Sequence, residues 1–219
     1  MNDVKLKIEE LLKQDVYDFD DLVDIMVILR SECGCPWDRE QTHKSLIKPM
    51  IEEAYEAVDA IEKESTPKLV EELGDVLLQV IMHSIIAEEN KEFTFSDVTD
   101  GCARKMLFRH SHVFGDVVAE NAGQALANWD EMKLKEKGFT SVWEDIKDIP
   151  DAFPALLRAS KRAKKLRKAG EADGNINENI LPDIDYSDEK QVATLLYSIC
   201  AKAEKEGVDP ETALLKETL

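Results

Sequence analysis

The sequence predicts an all-α protein, and three observations carry the prediction. Strand-type alternation is scarce. Apolar residues recur at helical spacing through most of the chain. Only nine glycines and seven prolines interrupt 219 residues, too few for the turns of a β-rich chain. Hydrophobic residues at 43% supply a core, and the length suits one domain or two small helical ones.

The periodicity predicts helices over 3–13, 19–32, 42–63, 67–90, 95–110, 121–137, 151–168, 188–206 and 210–217. The first two read as amphipathic pieces after a charged N-terminus. Gly34-Cys35-Pro36-Trp37-Asp38 reads as an irregular loop joining the second helix to the third. Thr66-Pro67 starts the fourth helix, with Thr66 as N-cap and Pro67 at the first helical position. Ser96 and Asp97 start the next, and Gly138 and Gly170 read as C-caps. The stretch 170–188 combines Gly, Asn, Asp, Glu and Pro with little periodicity and reads as a linker or mobile loop.

Charge narrows the function. Acidic residues outnumber basic ones 46 to 28, a formal net charge of −18. That opposes a nucleic-acid-coating role, which needs a basic footprint, and opposes docking on an anionic membrane. No apolar run reaches the roughly 18 residues of a spanning helix, and Met1-Asn2-Asp3-Val4-Lys5 opens without a signal-peptide apolar region. The expected location is the cytoplasm, with Cys33, Cys35, Cys102 and Cys200 as reduced thiols. A three-ligand metal set of Cys33, Cys35 and His43 stays open beside that reading.

Chemistry concentrates on the third and fourth helices. The third carries an apolar stripe of Leu46, Met50, Ala54, Ala57 and Ile61. Glu53 and Glu56 lie roughly 60° and 120° to one side of it. The fourth carries Leu69, Leu73, Val76 and Val80, with Glu72 and Asp75 at about the same angles on the same side. Antiparallel packing would let four carboxylates converge at the edge of the bundle core. Two solvated acidic faces are the alternative. Against it, like charges one turn apart repel, and between Ile51 and Ile61 four acids occur with no base. An oxygen-rich donor set favours Mg²⁺, with Mn²⁺ as a substitute, and such a cation completes its shell with water and substrate phosphates.

The ordered set of the Gly34–Asp38 loop, Glu52-Glu53-Ala54-Tyr55-Glu56 and Glu71-Glu72-Leu73-Gly74-Asp75 resembles the MazG nucleoside triphosphate pyrophosphohydrolases. Their signature is E-x-x-E, a spacer, then E-x-x-D, here Glu53-x-x-Glu56 and Glu72-x-x-Asp75. The segments Arg104–Asp116 and Asn128–Lys133 resemble the stretches C-terminal to that signature in these proteins, so the likeness covers about 20–165. It implies a MazG-like all-α bundle, with a four-helix bundle at the active unit completed by dimerisation. It also implies hydrolysis of nucleoside triphosphates to monophosphate and pyrophosphate. Glu53, Glu56, Glu72 and Asp75 would hold Mg²⁺, and Glu52 would assist as an outer ligand or by orienting water. Lys105 and Arg109 would clamp phosphates, from the same or the neighbouring chain. Trp129 would pack on base or sugar, Lys133 would reach a phosphate, and Trp37 is a loop anchor or a base contact. Core packing for Trp129, a solvated helix face for Lys105 and Arg109, and a structural role for His110 and His112 stay open.

On this resemblance the chain divides into a leader helix over 1–18, a catalytic module over 19–140, a connecting basic helix over 141–169, the linker over 170–188, and 189–219 as a degenerate remnant of a second module. In that remnant Gln191 and Thr194 occupy the ligand positions, so it is expected to bind no catalytic metal and to serve packing or assembly. The basic run from Arg158 to Lys168 reads as a solvated helix, a subunit interface or an RNA contact. Two rival functions remain beside general nucleotide-pool housekeeping. One is a narrower pyrophosphohydrolase for dUTP, dCTP or a signalling nucleotide. The other is a catalytically idle nucleotide-binding or assembly protein.

Overall fold

The computed structural model describes residues 2–171 and 182–218. Among the described residues every regular element is a helix, as the sequence predicts. The expected linker falls largely on 172–181 and so lies outside the described residues. Packing divides the chain into a first unit ending at Leu107 and a second starting at Phe108.

The first unit holds α1 (Asn2–Leu11), α2 (Phe19–Arg30), α3 (Pro36–Glu40), α4 (Ile47–Glu62), α5 (Thr66–Glu89) and most of α6 (Phe95–Arg109). Helix α2 starts at a capping box: Asp18 accepts from the Asp21 amide, and Asp21 accepts from the Asp18 amide at 3.1 Å. Its stripe Leu22, Val23, Met26 and Leu29 packs on Ile81, Met82, Ile85 and Ile86 of α5, with Leu46. Burying each large side chain there contributes about 1.5–3 kcal/mol.

The Gly34–Asp38 segment is not wholly irregular. Pro36 occupies the first turn of α3, where its missing N–H costs nothing. The loop is pinned tightly. The Cys35 amide donates to Leu29 O at 2.8 Å, and a Cβ on Gly34 would lie 2.2 Å from that same oxygen. Arg30, with its side chain 5% exposed, forks onto Glu89 at 2.6 and 2.9 Å and donates to the carbonyls of Asp38 and Gln41.

The third predicted helix starts later than expected, at Ile47 rather than Thr42. Pro49 has no N–H to give Ser45 O, and residues 42–46 form a separate turn closed by reciprocal Thr42 and Ser45 hydrogen bonds. Ser65 holds the N-cap position of α5 without a side-chain hydrogen bond, placing Thr66 and Pro67 inside its first turn. Helix α6 starts at Phe95, earlier than Ser96, because Thr94 and Asp97 exchange backbone and side-chain hydrogen bonds.

The second unit holds α7 (Ser111–Phe114), α8 (Ala122–Lys137), α9 (Val142–Lys147), α10 (Ala155–Ala169), α11 (Glu189–Lys205) and α12 (Pro210–Thr218). Asn121 caps α8, while Gly138 and Gly170 end α8 and α10 in left-handed backbone at φ 65° and 70°. The predicted helix over 151–168 begins at Ala155, because Pro154 holds extended backbone at its start. Two short helices, α7 and α9, carry too few residues to show a period. Ile146, Ile149 and Leu166 form the core of this unit, with Val142 and Phe153 against it. Helix α10 packs on both α9 and α12.

Candidate functional site

Helices α4 and α5 are joined by three residues and pack on one another as an antiparallel hairpin. The register is visible at two levels. His43 lies against His83 (Nδ1–Nδ1 2.7 Å), and Glu53 lies against Glu72. Ala57 and Ala60 are buried between the helices, and their small side chains allow close approach.

This hairpin corrects the predicted stripe. Met50 and Ile61 are 41% and 57% exposed, Leu73 is 53% exposed, and Ala54 is exposed. The seam within the chain runs through Leu46 just ahead of α4, through Glu53, Ala57 and Ala60 on α4, and through Glu72, Gln79, Met82 and Ile86 on α5. Helix α4 is apolar around most of its circumference, so periodicity selected its widest stripe instead of the one that faces α5. The consequence is chemical: Glu53 and Glu72 sit in the seam, with exposed Glu56 at its edge.

Carboxylate oxygens of Glu53, Glu56 and Glu72 lie within 4.8 Å of one another. Glu72 is 3% exposed and accepts from Lys68 at 2.7 Å. Glu53 is half-buried, and its carboxyl is pushed above the usual range, first by burial and then by Asp75, Glu56, Glu72 and Glu52. Asp75 is thus in the field of this group, although the tight triad is formed by the other three. Glu52 turns toward Lys48 at 3.1 Å on the exposed side. Lys68 escaped sequence reasoning; its signal was the i, i+4 spacing to Glu72.

A convergent set of oxygen donors with one partly buried member fits a hard divalent cation. Among the described residues this is the only such group of three. Cys33, Cys35 and His43 do not form one: His43 instead meets His83, with Glu92 3.5 Å away.

The other expected site residues fall elsewhere. Trp37 is 63% exposed on α3. Lys105 is half-buried on the first-unit part of α6. Arg109, Trp129 and Lys133 belong to the second unit. Arg109 is 8% exposed, bonds Glu136 at 2.6 Å and lies 5.2 Å over the Trp129 ring. His110 meets the edge of Trp129 at 4.7 Å. Half-buried Lys133 is held below the usual lysine range by burial, then by Lys165.

The MazG nucleotide pyrophosphohydrolase domain matches residues 41–114, which contain all four signature acids. The chain is 38% identical over 211 residues to the nucleoside triphosphate pyrophosphohydrolase/pyrophosphatase MazG of Thermotoga maritima, covering 91% of this chain and 81% of that protein. This chain belongs to the MazG family. The nucleoside triphosphate pyrophosphohydrolase of Escherichia coli K12 is 41% identical over 152 residues, 69% of this chain and 58% of its own length. YabN of Bacillus subtilis is 45% identical over 159 residues, but this MazG chain spans only 32% of it.

Proposed function

We propose that this MazG-family chain hydrolyses nucleoside triphosphates to nucleoside monophosphate and pyrophosphate in a Mg²⁺-dependent reaction, serving nucleotide-pool housekeeping in the cytoplasm. The observation that carries the reading is the carboxylate triad of Glu53, Glu56 and Glu72, with Asp75 in its field, inside the segment that matches the family domain. The relatives named for this activity share most of the segment.

These four acids would hold the cation. Bound there, Mg²⁺ supplies charge neutralisation on phosphate oxygens and a more acidic water. The chain's own groups do the rest. The hairpin presents the acids from two rigid helices, so their spacing is preorganised. Lys68 holds the Glu72 carboxylate in place. Water attacks the α-phosphorus, the bond to the bridging oxygen of the β-phosphate breaks, and pyrophosphate leaves with that electron pair. The water's proton passes to a carboxylate of the cluster. Lys105, on the same unit as the hairpin, carries charge for the remaining phosphates, and Trp37 offers aromatic surface to the nucleoside.

A homodimer completes the bundle in this reading. Ile47, Ile51, Tyr55, Val58 and Ile61 on α4 and Val70 and Leu73 on α5 are all more than half exposed, which is costly for a lone chain. The segment 189–219 is assigned to packing or assembly; Gln191 and Thr194 there are exposed and bring no negative charge.

The test is turnover with the common ribo- and deoxyribonucleoside triphosphates. Glu72→Gln and Asp75→Asn should abolish product formation in a protein that still folds. Wild-type turnover by either variant would overturn the site assignment.

A further inference from the structure

The second unit contains a cleft of about 750 Å³ between α8, the start of α9 and α10. That volume is in the range of small-molecule sites. Five lysines line it against two aspartates, on a chain whose net charge is −18. Lys161, Lys164, Lys165 and Lys168 share one face of α10, because spacings of three, four and seven residues return to the same side of a helix. From Lys161 to Lys168 this face runs about 10 Å along the axis. Lys133 comes from α8 on another wall.

The balance of partners leaves charge to spare. Lys165 pairs with Asp145 and Lys168 with Asp130, which uses both aspartates. Among the described residues, Lys133, Lys161 and Lys164 form no ion pair, although Lys133 feels the charge of Asp145 that Lys165 already pairs; Lys161 rests 5.1 Å from the Phe153 ring. Like charges gathered on one face repel, so an anion lodged there removes a standing penalty. Hydroxyls of Ser141 and Ser160 add neutral donors, and Leu134 and Phe139 give the cleft an apolar side.

We infer that this cleft binds an oligophosphate anion, two or more linked phosphates, without help from the carboxylate hairpin or a metal. A single phosphate would reach only part of a lysine row this long, whereas linked phosphates spread their charge along it. The inference goes beyond the reaction proposed above: Lys133 alone is shared with the substrate contacts that the sequence resemblance implies, and Lys161, Lys164, Lys165 and Lys168 have no role there. Pyrophosphate, a product of that reaction, and the tail of a nucleoside triphosphate offer the same chemistry.

The experiment is calorimetric titration of the full chain in EDTA with pyrophosphate, tripolyphosphate, a non-hydrolysable nucleoside triphosphate and orthophosphate. Linked phosphates should bind more tightly than orthophosphate. Glu72→Gln should bind them as the wild type does, which separates this site from the catalytic one. Lys161→Gln and Lys164→Gln should each weaken binding by roughly tenfold, the loss expected for one charge-assisted hydrogen bond, with circular dichroism confirming the fold. Preference for pyrophosphate would identify the product as occupant, and preference for the nucleotide would identify the tail. Three results would overturn the inference: no metal-free binding, binding unchanged in both lysine variants, or orthophosphate bound as tightly as the linked phosphates.

Discussion

Replacing Glu53 with Gln tests whether the acids are held together for a cation. Its carboxylate lies within 4.8 Å of those of Glu56 and Glu72. Two unit charges at that distance repel by about 3.5 kcal/mol at an effective permittivity near 20 and by about 0.9 kcal/mol in water. Glu56 is exposed and Glu53 only half-buried, so the lower end applies, and Glu53→Gln should stabilise the metal-free protein by about 1 kcal/mol. For a chain of this size that raises Tm by about 2–4 °C. Adding Mg²⁺ should reverse the order. At one hundred times Kd a bound cation stabilises the wild type by about 2.7 kcal/mol, and the variant, one ligand short, gains less. Scanning calorimetry in EDTA and in Mg²⁺ reads both effects. A variant that melts lower in EDTA, yet rises as far as the wild type in Mg²⁺, would show that the acids are not held together for a cation.

The same geometry yields three further outcomes. Because the folded protein holds the Glu53 carboxyl above its usual range, mainly by burial, the folded state binds more protons than the unfolded one. Metal-free stability should therefore fall as pH rises from the ordinary glutamate range through the raised value, and urea titrations across that window should show a flatter profile for Glu53→Gln. Gly34→Ala would drive a Cβ to 2.2 and 2.3 Å from the carbonyl oxygens of Leu29 and Ile28; backbone cannot yield as a side chain does, so a loss of about 3 kcal/mol or more is expected in urea unfolding. Arg30→Lys keeps the charge but loses the fork onto Glu89 and one of the two carbonyl contacts, for a predicted loss of about 1–3 kcal/mol by the same measurement.

Much of this architecture was legible in the sequence because its cues are local. The helices over Phe19–Arg30, Thr66–Glu89 and Ala122–Lys137 are long enough for a period to show, and Gly138 and Gly170 end helices as only left-handed residues do readily. What failed was non-local or too short. Pro49 divides the predicted third helix through one missing hydrogen bond, and α7 and α9 span barely a turn or two. Spacing along the helices shows the acids but not their place in the packing. A stripe rule assigns the seam by hydrophobicity, whereas α5 docks where Ala57 and Ala60 are small, which carries Glu72 into the interior. The basic run also reads differently in three dimensions. Arg158 is 4% exposed and donates to Ile149 O at 3.0 Å, and Lys165 and Lys168 pair with acids, partners that no spacing along α10 reveals.

In the proposed reaction water attacks the α-phosphorus, supported by the Glu53, Glu56, Glu72 and Asp75 cluster. Its most direct test is hydrolysis of a turned-over nucleoside triphosphate in oxygen-18 water with Mg²⁺, with mass spectrometry of both products. Attack at the α-phosphorus puts one labelled oxygen in the nucleoside monophosphate and none in pyrophosphate. Label in pyrophosphate, or release of diphosphate and orthophosphate instead, would contradict it.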